Sequence, residues 1–204
     1  MGGTTQGALF LILAFGMLWL PLGQHAFLIE HWMKLGTFMA PFLLLVAASF
    51  AGHGGQQRVT TIALVLLVAY ILHQFEEHWV DLYGNIYAFK GAVNELLKQG
   101  LGAPEREGDI LTSAGVFVIN TSLVWLVGCL AIWRGERHVF PTLAMAAIVL
   151  VNAMSHIGSA IVAQSYNPGL LTSVIVFIPL ALCSYFLLWK AGTARLVEIG
   201  ASLL

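Results

Sequence analysis

Charge is what this sequence has least of. Only 9% of its 204 residues are Asp, Glu, Lys or Arg, and 59% are hydrophobic. A soluble domain carries about 25% charged residues, so a water-exposed globule is excluded and an integral membrane protein is implied. Net charge is −1 with no basic cluster, which argues against a nucleic-acid partner. Cysteine is scarce too. Cys129 and Cys183 stand alone in apolar runs, with neither the CxxC spacing of a redox motif nor that of a cysteine zinc site. Met1–Gln6 contains no Lys or Arg, so a secretory signal with a basic start is not indicated and the first apolar run reads as a retained membrane helix.

Long apolar runs fill the rest. Mean hydropathy is +0.86. Six runs approach the roughly 20 residues that a spanning helix needs, at about 7–30, 37–51, 59–80, 112–133, 139–162 and 170–189. They lack the alternation of barrel strands. The expectation is an all-α polytopic helix bundle forming one transmembrane domain. Its one long connection, 81–111, mixes Tyr83, Tyr87 and Phe89 with Lys90, Glu95 and Lys98. Part of it, 86–97, has the character of a short interfacial helix; such a loop is either a lid or a solvated linker. Six spans place both termini on one side, side A. That side carries Arg58, Arg134, Arg137, Lys190 and Arg195, against Lys34, Lys90, Lys98 and Arg106 on side B, a bias toward cytoplasmic termini.

The few intramembrane polar residues are not scattered. At about 1.5 Å of rise per residue, counted from side A, His73 lies roughly 21 Å deep, Glu76 and Glu77 roughly 26 Å, Asn152 roughly 18 Å, His156 roughly 24 Å and His25 roughly 27 Å. Asn120 falls about 12 Å below the side B surface by the same rise. All therefore gather in the side B half. His73, Glu76 and Glu77 share a helical face, as do Asn152 and His156, whereas Gln74 and Phe75 point elsewhere. His31 and His78 each precede a Trp near a span end and read as headgroup-level residues.

Imidazole and carboxylate on facing helices suit a divalent metal such as zinc, iron or manganese. One arrangement uses His73, Glu76 and His156 as ligands, Glu77 as general base or further ligand, and Asn152 to orient a ligand or substrate. A dinuclear arrangement adds His25 and Glu30, with His31 or His78 as a further candidate ligand. Since ionisable residues inside a membrane are functional by default, the expected activity is metal-dependent hydrolysis of a lipid or other apolar substrate. Di-iron-type oxidation, hydroxylation or desaturation at the same site is the alternative. A non-enzymatic ion or small-molecule carrier is a third possibility, although the side A half offers no polar path.

His73-x-x-Glu76-Glu77, Asn152-x-x-x-His156 and the following Tyr166-Asn167-Pro168-Gly169-Leu170-Leu171-Thr172 resemble the HXXEE-domain family of bacterial integral membrane proteins over about residues 15–190. The resemblance implies an enzyme, a metal and a bacterial inner membrane, but no substrate. In that family the motif is expected near the start of the domain; here it falls on the third expected span.

Overall fold

The structure is a computed structural model and describes residues 26–52 and 57–204. Those residues are mostly helical, with no strand among them. The seven helices are α1 (Ala26–Ala51), α2 (Arg58–His78), α3 (Ala88–Gly100), α4 (Ser113–Arg137), α5 (Phe140–Ala163), α6 (Leu170–Lys190) and α7 (Leu196–Ser202). Five of them, α1, α2, α4, α5 and α6, are long and apolar enough to cross a membrane. The expected first span lies mostly outside the described residues.

One boundary is corrected. The expected break at 31–36 does not occur, because α1 runs unbroken from Ala26 to Ala51. Its charged residues are accommodated at the side B end instead of in a loop. Lys34 lies over the rings of Trp79 and Tyr87, 5.2 and 5.6 Å from their centroids, so its long stem reaches an interfacial aromatic pair. Gly36 lets the indole of Trp125 approach, since a Cβ there would meet Trp125 at 3.0 Å.

α2 is the central helix. Nearly three quarters of it is buried, against 28–50% of the other spans. Its side A portion, from Val59 to Ile71, packs into an apolar core with Ala131, Leu143, Ala146, Val149, Ala181 and Leu188. Small residues allow this close approach, as is usual between membrane helices. A second, smaller cluster of Trp32, Met33, Val116 and Phe117 sits at the side B end of α1 and α4.

Two spans depart from regular α geometry. Asn120–Trp125 in α4 and Ser173–Phe177 in α6 take the wider π turn, a device common beside functional sites. Both adjoin the polar end of α2. The helix expected within the long loop appears as α3, and its N-terminal Phe89 stacks edge-on upon His78, ring centroids 4.7 Å apart.

A candidate metal centre

The last two turns of α2 are buried and polar. His73 and Gln74 are 0% exposed, and Glu76, Glu77 and His78 only 5–6%. Two neighbouring stripes divide them. His73 and Glu77, four residues apart, face α5 and α6. Gln74 and His78, also four apart, face α4.

The first stripe converges on His156 of α5. Glu77 Oε2 lies 3.5 Å from His73 Nε2, and Glu77 Oε1 lies 3.4 Å from His156 Nε2. One ligand atom from each of the three residues lies within 4.8 Å of the others. The rings of His73 and His156 meet edge to face at 4.8 Å.

Hydrogen bonding from behind fixes which nitrogen faces inward. Thr172 Oγ1 donates to Glu76 Oε2 at 2.6 Å. Its single proton being used there, it accepts from His73 Nδ1 at 2.8 Å. From the connection between α5 and α6, Asn167 Nδ2 donates to the His156 carbonyl at 2.9 Å, which turns Asn167 Oδ1 onto His156 Nδ1 at 2.7 Å. Both imidazoles thus carry their proton on Nδ1, as assigned from the bonding network, and in their neutral form present the Nε2 lone pair to a carboxylate. His73 Nε2 is buried and has no hydrogen-bond partner among the described residues. Two lone pairs opposite an anion leave a gap that only a positive species can fill, a proton or a metal ion.

Glu76 has a different task from the one expected. Its Oε1 accepts from Tyr166 Oη at 2.9 Å and from Leu171 N at 3.0 Å. Its Oε2 accepts from Thr172 N at 2.7 Å and from Thr172 Oγ1. These four donors engage both oxygens, so Glu76 does not join the cluster. It caps the N-terminus of α6, where the helix dipole favours an anion. Burial, with the Glu76 carboxylate adding to it, pushes the Tyr166 phenol well above its ordinary range, so the hydroxyl remains a donor.

The second stripe is a chain of amides. Trp125 Nε1, which can only donate, bonds Gln74 Oε1 at 2.9 Å. Gln74 Nε2 then donates to Asn120 Oδ1 at 2.9 Å. Asn120 Nδ2 faces Val116 O at 3.0 Å and His78 Nε2 at 3.3 Å. His78 Nε2 also lies 3.0 Å from Glu77 Oε2. The headgroup-level reading of His78 is therefore corrected: the ring is buried between Trp32 and Phe89 and touches the cluster. Gln74, read as pointing away from the site, holds it through Asn120.

The remaining expected residues fall elsewhere. Asn152 donates to the Tyr70 hydroxyl, and Tyr70 packs edge-on against His73 with centroids 5.7 Å apart. Its influence on the cluster is indirect. Glu30 is exposed on α1 and lines a cavity beyond His78. His25 lies outside the described residues.

Sequence reasoning did not assign roles to Thr172, Asn167, Tyr166 or Gly169. Gly169, at φ +93°, comes closest: a Cβ there would stand 2.7 Å from Cε1 of both His73 and His156. The signal for all four was the Tyr166–Thr172 string itself, whose turn residues bring polar groups to the start of a span.

No curated protein and no solved structure matches the chain significantly. One family does, described as a protein of unknown function with HXXEE motif, over residues 64–184. That range is narrower than the expected 15–190, and it places His73 near its beginning, which resolves the apparent displacement of the motif. With more than half of its length matched, the chain belongs to the HXXEE family.

Proposed function

We propose that this protein is a metal-dependent membrane enzyme with hydrolase-type chemistry on a lipid or other apolar substrate, and that His73, Glu77 and His156 hold the ion. One observation carries this reading. Two buried imidazoles, each with its Nδ1–H engaged from behind, aim Nε2 at the same buried carboxylate. A ligating histidine ordinarily has its second nitrogen tied in this way. A proton alone needs one acceptor pair; the convergence of three donor atoms fits an ion better.

Two imidazoles and a carboxylate form a ligand set of catalytic zinc and equally of non-haem iron(II). A divalent ion there supplies Lewis acidity. The chain's own residues do the rest. Thr172 and Asn167 orient the ligating rings. Glu76 locks the start of α6 under them. The apolar core closes the side A half against water. Engagement of both Glu76 oxygens favours one ion over two, which weighs against a di-iron oxidase.

Metal analysis of protein purified in detergent without chelator tests the reading. About one equivalent of zinc per chain is expected, lost together with ester hydrolysis in His73→Ala and in His156→Ala but kept in His138→Ala. Full metal content in His156→Ala would overturn the site. Two irons per chain would replace hydrolysis with oxidation.

A further inference from the structure

Beyond His78, on the side away from the cluster, lies a cavity of about 350 Å³, within the roughly 300–1,000 Å³ of small-molecule sites. Ile29, Trp32 and Met33, successive positions on one face of α1, make one wall, and Val116 of α4 faces them. Polar groups sit at its rim on the α3 side: Tyr87, Lys90, Ser113 and, from α1, Glu30. His78 forms part of the lining, and its Nε2 touches Glu77. One residue is therefore shared by the cavity and the candidate metal centre. The cavity also lies where α2 ends and α3 begins, at the side B boundary, the depth at which an amphiphile places its polar group.

The rim selects among amphiphiles by charge. Lys90 is its lysine, and that ammonium is already matched: Nζ lies 2.9 Å from Asp109 Oδ2 and 3.2 Å from Ser113 Oγ. Glu30 adds a negative charge to the same lining. A carboxylate or phosphate headgroup would meet a cation already paired and, in Glu30, an anion with no ion pair among the described residues, while Lys34 is held over the rings of Trp79 and Tyr87. An uncharged ester or alcohol would meet hydroxyl groups and an imidazole without that repulsion.

We propose that this cavity binds a neutral amphiphile, an apolar chain between Ile29, Met33 and Val116 with its ester or alcohol group beside His78. The proposal names the substrate class of the enzyme proposed above and rests on that reading for turnover, but not for binding.

Trp32 in the wall provides the readout. Full-length protein in detergent is titrated with a chain-brominated monoacylglycerol, and separately with the brominated fatty acid of equal chain length. The neutral compound is expected to quench the Trp32-dependent fluorescence, the part lost in Trp32→Phe, at a concentration at least about tenfold lower than the acid. Val116→Phe and, independently, Ile29→Phe are expected to remove that quenching by filling the space. His156→Ala is expected to keep it. Equal or tighter binding of the acid would overturn the proposal, as would quenching indifferent to Trp32→Phe and to both filling variants. Loss of binding in His156→Ala would place the ligand on the cluster and sink the cavity reading, while leaving the metal reading standing. Retained binding in the unsubstituted protein, purified without chelator and found to hold no metal, would sink the metal reading alone.

Discussion

The two ends of α2 are equally buried and chemically opposite. From Val59 to Ile71 the helix is sealed by apolar side chains at contact distance. From His73 to His78 it is sealed by hydrogen bonds to three other segments. The apolar end tolerates approximation, because dispersion contacts are individually weak and can be redistributed. The polar end does not. Each buried donor or acceptor left alone costs about 1–3 kcal/mol, and more when charged. The same helix therefore spends one half on holding the bundle together and the other on holding a geometry.

Substitutions of single atoms separate the two halves. The largest effect is expected at Gly169. Gly169→Ala would drive a methyl into both imidazoles and hold a β-carbon at a left-handed φ, so metal should be lost, as metal analysis would show, with thermal stability in detergent reduced. Thr172→Val should come next. It keeps shape but removes the acceptor of His73 Nδ1 and a donor to Glu76; about 1–3 kcal/mol of stability is at stake, with metal affinity falling about 10–100-fold as for other supporting residues. Gly128→Ala probes the apolar half. Its methyl meets the flexible tip of Leu67 at 2.8 Å, so an overpacking cost near the low end of about 1–3 kcal/mol is expected, with metal content unchanged. Metal loss in Gly128→Ala, or metal retention in Gly169→Ala, would erase the distinction between the halves.

The smallest effect concerns the loop after α2. Burial works against the Asp81 carboxylate, but the Asn85 side chain and the backbone of Asn85, Tyr83 and Gly84 outweigh it and hold its pKa below the ordinary 3.8. A depressed folded-state pKa gives a stabilisation that is complete above the ordinary value and lost as pH falls through the depressed one. Protease nicking of the 81–87 turn should therefore be flat from neutral pH down to about 4 and rise only below it; a rise near pH 6 would contradict this sign.

Much of this was legible in the sequence because it follows from periodicity. Four-residue spacing places His73 with Glu77, and depth counting brings His156 to their level. The division of labour between Glu76 and Glu77 was not legible. Adjacent positions on one helix differ by about 100°, and either could face the site. What decides is the start of α6, whose backbone N–H groups claim Glu76. Gln74 and His78 were misread for a related reason: their partner Asn120 is turned inward within a π turn that composition does not announce. The unbroken α1 was missed because Glu30 and Lys34 look like loop residues until Trp79 and Tyr87 are seen beside the lysine.

The grip of the α6 start on Glu76 has a consequence for how the chain is made. Tyr166, Leu171 and Thr172 follow Glu76 by 90 to 96 residues. At about 5–20 residues per second, a ribosome delivers them roughly 5–20 s after Glu76 has emerged. During that interval α2 has its apolar partner α1 but none of the groups that satisfy Glu76 and His73. The nascent bundle must keep the side B end of its central helix wetted until α6 arrives, and synthesis of α6 is the step that dries it.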